Sequence, residues 1–320
     1  MAQSSAITSV AVEKRFLARH PSRRPWGAIA LFLGPIMLYY AIFIMYPLAA
    51  TLYYSVHSIE PTPGQPGLTT TYVGTDNFEA LEDDWRFERA VKNTVKWGLI
   101  GPVLEIATAL TLAMVVYFKV PFWRFYRIAW FTPMLVSGVI VGLVWRWIFN
   151  YDWGLLNTFL REVHLEEWAI DWLGARHNRN SPLGAVIFVH YWATFGFSFV
   201  LLLAGLTAID EEVIDAARVD GANTLQVVVR ILLPLLRPTL ITVLILSFMG
   251  KMRAFNVVWV LTNGGPIHLS ETVATYVQKR AFGWRTLDLG YPSAIAVAWF
   301  GVVLVGVMII RTVANRLSRQ

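Results

Sequence analysis

The sequence contains no cysteine, which excludes a disulfide framework and any thiolate metal site. Its six histidines (His20, His57, His164, His177, His190 and His268) show no i,i+3 or i,i+4 pairing, so no histidine metal centre is expected. No Gly-x-x-x-x-Gly-Lys-Ser/Thr phosphate loop occurs. Gly250-Lys251 lacks the preceding glycine pattern and is followed by methionine, so the chain is not expected to bind a nucleotide itself. No His, Ser and carboxylate residues group at helical spacing, which argues against an intramembrane enzyme. Charge is scarce as well, at 15% of residues where a soluble domain carries about a quarter.

What fills that space is apolar. Hydrophobic residues make up 56% of the 320 residues, with a mean hydropathy of +0.51, and they cluster into runs of roughly twenty or more, enough to cross about 30 Å of hydrocarbon. We read an all-α membrane protein with six transmembrane helices at about 27–54, 91–117, 123–149, 183–207, 239–262 and 288–311. The chain divides into a tail over 1–25, a six-span domain over 26–312 and a second tail over 313–320. The apolar run after the basic N-terminal stretch is far longer than a signal-peptide core, so it is expected to be a retained first span.

The net charge of +6 invites a nucleic-acid reading, but its distribution favours a membrane one. With six spans both termini share a side, and segments on that side hold fourteen Lys and Arg, among them Lys14, Arg24, Lys119, Arg127, Arg218 and Arg316. The opposite, longer loops hold eight. The positive-inside rule therefore puts both termini in the cytoplasm. Trp145, Trp147, Tyr151 and Trp153 crowd a span end, as interfacial aromatics do.

Two outer features stand out. Residues 60–66, EPTPGQP, form a turn cluster, and Asp76, Glu79, Glu82, Asp83, Asp84 and Glu88 make an acidic face after it. That face is either a solvated loop or a docking surface for an extracytoplasmic partner. Inside the spans, Glu105, Lys251 and Arg253 are costly charges, on the order of 2.5–3.5 kcal/mol each, and such residues mark function more often than not. Lys251 falls just past the midplane, where it could pair with Glu105 or contact a solute, while Arg253 could contact solute or snorkel outward.

The loop 209–238 is half charged and half apolar. Asp210 is placed to cap a helix through Arg218, with its acids early and Arg218 late. Val213, Ile214 and Ala217 share a face, and Gly221 can end the helix in a left-handed conformation. Asn223 or Thr224 then caps a second helix, and Pro234 bends the chain into the fifth span. A helix lying on lipid is disfavoured, because Glu211, Glu212 and Asp215 would be repelled by anionic headgroups. Its apolar face calls for a protein partner.

Asp215-Ala216-Ala217, three residues, Gly221, nine residues, then Ile231-Leu232-Leu233-Pro234 resembles the EAA loop of ABC importer permeases at every spacing. Only Asp215 departs, standing for the usual glutamate. Asn93-Thr94, Thr132-Pro133, Gly154-Leu155-Leu156-Asn157, Phe255-Asn256, Val260 to Pro266 and Gly290 to Ala298 are similar to the maltose-type, carbohydrate-transporting branch. The resemblance implies a permease subunit of an ATP-driven importer in a bacterial inner membrane, working by alternating access. Its implied partners are a second permease, two ATPase subunits that carry ATP and Mg, an extracytoplasmic binding protein, membrane lipid and a carbohydrate solute. No cofactor is implied on this chain. By the same resemblance Glu211, Glu212, Asp215, Ala216, Ala217, Asp220, Gly221, Ile231, Leu233 and Pro234 couple the spans to the ATPase. Met134, His190, Trp192, Thr194, Lys251, Arg253 and Ala254 would meet the solute, a sugar or glycoside to which two cations would suit an anionic group. His190 and Trp192 are equally read as helix packing. The alternative is a secondary transporter driven by an ion gradient, which would show repeated halves and a relay of intramembrane carboxylates.

Overall fold

The computed structural model describes residues 26–61, 67–176, 181–283 and 288–317. The tail over 1–25, most of the 60–66 turn cluster, His177 and the last residues of the second tail lie outside that set. Among the described residues, five helices are long and apolar enough to cross a membrane, and a bent pair makes a sixth candidate.

The first span runs through Trp26–Tyr40 (α1) and Tyr46–Ser55 (α2), joined by a π-helical turn at Ala41–Met45. The π turn closes with the Tyr46 N–H on the Ala41 carbonyl, directly before Pro47. A proline ring clashes with the carbonyl four residues back, and a widened turn relieves that contact. The same register recurs at Val228–Leu232, where the Leu233 N–H reaches the Val228 carbonyl directly before Pro234. Pro234 therefore does not bend the chain into its span as expected. The π turn absorbs it, and the helical run continues from Thr224 to Met252.

After α2 the all-α expectation meets its exception. His57–Pro61 (β1) pairs antiparallel with Leu68–Tyr72 (β2), with Ile59 opposite Thr70. Thr69, Thr70, Thr71 and Tyr72 are strand formers that suit this small ribbon. Asp76–Glu79 (α3) follows, and Asn77 ties the ribbon down by donating to the Ser55 and His57 carbonyls at 3.1 and 3.0 Å.

The second span is Trp85–Tyr117 (α4), longer than its apolar part because Asp84 caps it, accepting from the Arg86 and Phe87 N–H groups. The third span is not one helix. Trp123–Phe131 (α5) and Gly138–Ile148 (α6) are bent by 100°, separated by a 3-10 turn at Thr132–Leu135. Pro133 lacks the donor an α-helix needs, and Gly138 opens α6 after extended Val136. Leu155–Glu162 (α7) leads to the fourth span, Ser181–Thr207 (α8), which packs along α4. Gly196 permits the close approach of α8 to the bend, since an added Cβ would lie 2.7 Å from the Trp130 carbonyl oxygen.

Glu211–Val219 (α9) and Thr224–Val227 (α10) form the loop before the fifth span, Leu233–Met252 (α11). That span is broken at Arg253–Phe255, then resumes as Asn256–Leu261 (α12). Val273–Phe282 (α13) and the last span, Gly290–Leu317 (α14), complete the chain. One core cluster gathers the ends of α4, α8 and α11 with Ile214 of α9. A second joins Trp97, Val189 and α12, and a third joins Ala90, Met252, Tyr276 and Ile295.

Candidate functional site

At the loop 209–238, Asp210 holds the N-cap position of α9 in extended geometry, but its side chain makes no capping bond. The expected apolar face is also rotated. Ile214 is buried and Ala217 half-buried against the chain's own core, whereas Val213 is exposed. The outward stripe is Val213, Ala216 and Val219 at i,i+3 spacing, with Val219 87% exposed. Glu211, Glu212, Asp215 and Asp220 are exposed around it. Gly221 has φ +87° and nothing near its missing Cβ, so it serves as the left-handed stop. Asn223, rather than Thr224, caps α10 in a reciprocal box with Gln226, at 2.9 and 2.8 Å. Ile231 and Leu233 are half-buried beside buried Leu232, and Pro234 is exposed. The result is a short two-faced helix held on rigid supports.

Within the spans, the two openings left for Lys251 resolve into a pair. Its ammonium donates to Glu105, and both side chains are buried. Ser198 donates to the same carboxylate at 2.5 Å and Ser247 at 3.1 Å, while Lys251 also reaches Ser247 at 3.0 Å. The cluster ties α4, α8 and α11 together near mid-span. Gly101 makes room for it, since an added Cβ would meet Lys251 Cγ at 3.3 Å and Trp97 Cδ1 at 3.0 Å. Trp97 in turn stands edge-on to His190 at 4.9 Å, and Thr194 donates to the His190 carbonyl at 2.8 Å. Lys251, Trp97, His190 and Thr194 therefore belong to one neighbourhood.

The other expected solute residues are spread around it. Trp192 stands edge-on to Trp145, 5.6 Å between ring centroids, as packing would have it. Met134 is half-buried in the 3-10 turn of the third span. Ala254 is buried inside the fifth-span break, and Arg253 is exposed there with no ion pair among the described residues. Sequence reasoning missed that break. Its carbonyls are satisfied by distant side chains, Trp299 Nε1 on Met252 O at 2.9 Å and Thr272 Oγ1 on Ala254 O at 3.1 Å. Non-helical backbone at membrane depth occurs where it is buried in protein or lines a cavity.

The start of α4, with the segment 268–291, forms a second dense region. Asn93 donates to the carbonyls of His268, Leu269 and Glu271 at 3.0–3.3 Å, and the Thr94 hydroxyl accepts from Val273 N–H. Glu271 is fully buried and shared by Lys279 at 2.7 Å and His268. Asp84 leaves the expected acidic face. It turns inward to accept from Tyr276 and, at 2.6 Å, from Tyr291. Burial raises its pKa, but the two phenols and the Phe87 and Arg86 N–H groups outweigh that and hold it below the usual value. Burial first, then the Asp84 carboxylate, pushes the Tyr276 phenol up.

Comparison with known proteins adds to this geometry. Residues 105–320 match the family described as binding-protein-dependent transport system inner membrane component. The chain is 32% identical over 289 residues to the sulfoquinovosyl glycerol transport system permease protein SmoG of Agrobacterium fabrum, covering 88% of this chain and 90% of that one. It is 30% identical to the trehalose/maltose transport system permease protein MalF of Thermococcus litoralis, covering 86% and 89%. A crystal structure of a bacterial alginate ABC transporter, in complex with an alginate pentasaccharide-bound periplasmic protein, shares the fold at a TM-score of 0.76 and 22% identity. That match covers 93% of this chain and 97% of the other.

Proposed function

The chain belongs to the family of inner membrane components of binding-protein-dependent transport systems, and from that premise we propose that it forms half of the solute pathway of an ATP-driven sugar importer. Family membership decides against the ion-gradient carrier. The other half of the pathway is a second, similar permease. Two ATPase subunits carry ATP and Mg on the cytoplasmic side, where both termini lie, and a binding protein delivers solute from outside.

The observation that carries this reading is α9. It is a short helix that buries Ile214 in its own chain and turns Val213, Ala216 and Val219 outward beside four acids. Ala216 on that face lets a partner approach closely, and Gly221 and the capped α10 fix the angle of α9 to the fifth span. Closure of an ATPase groove around α9 moves α11 and opens the path outward. Gly221→Trp would need a large side chain at φ +87°, so it is expected to abolish ATP-driven uptake while ATP hydrolysis by the assembled complex persists. Uptake at the normal rate would show that α9 is not the coupling element.

For the solute we propose a sugar or glycoside passing His190, Trp192, Thr194, Met134 and the break at Arg253 and Ala254. The relatives named for sulfoquinovosyl glycerol and for trehalose/maltose support that class. Lys251 is neutralised by Glu105 and serves the scaffold, so contact with an anionic group falls to exposed Arg253. Competition uptake assays with Arg253→Gln are expected to lower the preference for anionic over neutral glycosides. An unchanged preference removes the anionic part of the proposal.

A further inference from the structure

At the end of the bundle that carries α9, a cavity of about 390 Å³ opens between the α4–α5 loop, the last turns of α8 and the start of α9. That volume lies in the range of about 300–1,000 Å³ typical of small-molecule sites. Its lining combines two chemistries. Along α8, Val200, Ala204 and Thr207 form an exposed stripe at i,i+4,i+7, with Leu203 beside it. The stripe carries the cavity roughly 10 Å into the span at 1.5 Å per residue. Lys119 and Arg127 line it as well, and neither makes an ion pair among the described residues. Trp123 and Tyr117, residue types that favour the headgroup level, line the wall. Glu211 is the one acid on the lining, which therefore carries two positive charges against one negative. A lining that combines an apolar stripe with two cations and interfacial aromatics matches one kind of molecule, an amphiphile with an acyl chain and an anionic group.

We propose that this cavity binds an anionic phospholipid, its phosphate held by Lys119 and Arg127 and its first acyl methylenes lying along the α8 stripe. The proposal rests on the chain spanning a membrane, and it stands whether or not α9 meets an ATPase. Basic pockets between spans at the cytoplasmic surface select acidic headgroups through charge that a zwitterionic lipid does not match. Glu211 opens α9 and lines the same cavity, so its carboxylate opposes the phosphate and leaves one net positive charge on the lining to hold it.

The test is native mass spectrometry of the assembled transporter titrated with phosphatidylglycerol and with phosphatidylcholine. Wild type is expected to retain phosphatidylglycerol selectively. Near-surface cations contribute roughly five-fold each in affinity, so Lys119→Gln with Arg127→Gln is expected to weaken phosphatidylglycerol about thirty-fold and leave phosphatidylcholine unchanged. Arg124→Gln is the control, because that cation stacks over Trp123 at 5.4 Å and does not line the cavity. Leu203→Trp, which fills the space beside the stripe and spares both cations, is expected to weaken phosphatidylglycerol as well. Equal retention of the two lipids by wild type overturns the proposal, as does an Arg124→Gln loss equal to that of the double variant. Full displacement of the lipid by water-soluble glycerol phosphate would show a free-anion site and overturn it too.

Discussion

Replacing Glu105 by glutamine tests whether the mid-span cluster holds three spans together. In the wild type the carboxylate accepts from Lys251, from Ser198 at 2.5 Å and from Ser247 at 3.1 Å, and all four residues are buried. Glutamine keeps the shape and removes the charge, leaving the Lys251 ammonium buried with Ser247 and an amide oxygen. Breaking one side of a buried pair costs about 3–5 kcal/mol, because the remaining charge stays desolvated. Lys251→Met is expected to fall toward the lower end, since Glu105 would keep two hydroxyl donors 2.5 and 3.1 Å away. The double variant removes both charges and is expected within about 1 kcal/mol of wild type, giving a coupling of several kcal/mol. Denaturant titration of the four proteins in matched detergent, completed as a double-mutant cycle, measures it. Single variants that each cost under about 1 kcal/mol and simply add would refute the account.

Two further outcomes follow from the geometry. Gly196→Ala puts a methyl 2.7 Å from the Trp130 carbonyl, so it is expected to cost about 1–3 kcal/mol and lower the thermal midpoint; an unchanged midpoint would mean α8 and the third-span bend are not tightly packed. The Asp84 pKa is held below its unfolded value, so its contribution is complete above that value and is lost as pH falls through the folded one. Thermal scans across acidic pH should therefore show wild type losing stability to acid, with Asp84→Asn less stable at neutral pH and flatter below it. Identical profiles would remove the two tyrosines as the cause.

The long apolar runs and the spacing from Asp215 to Pro234 were legible in the sequence because both are local patterns. The breaks were not. A hydropathy window over 123–149 averages across the 100° bend at Pro133. The stop at Arg253–Phe255 contains neither glycine nor proline, and is held by Thr272 and Trp299, 18 and 47 residues from the carbonyls they satisfy. Pairing of Lys251 with Glu105 was one of two openings, but Ser198 and Ser247 are unremarked small residues in apolar helices until the fold places them. Helical periodicity put Val213 with Ile214 and Ala217, and only the core contact of Ile214 shows which way the helix faces. The Asn93-Thr94 pair acquired its reason from the loop it pins, 175 to 179 residues away.

The mid-span cluster also sets a clock on synthesis. Glu105 is synthesised 146 residues before Lys251, and a ribosome adding about 5–20 residues per second needs roughly 7–30 s to bridge that gap. Ser198 comes first, 93 residues after Glu105, and can supply an interim hydroxyl before the lysine has been made. The nascent second span therefore carries an unpartnered acid for seconds. The insertion machinery must shelter it, and a slow ribosome would prolong the interval in which quality-control proteases can recognise the half-made permease.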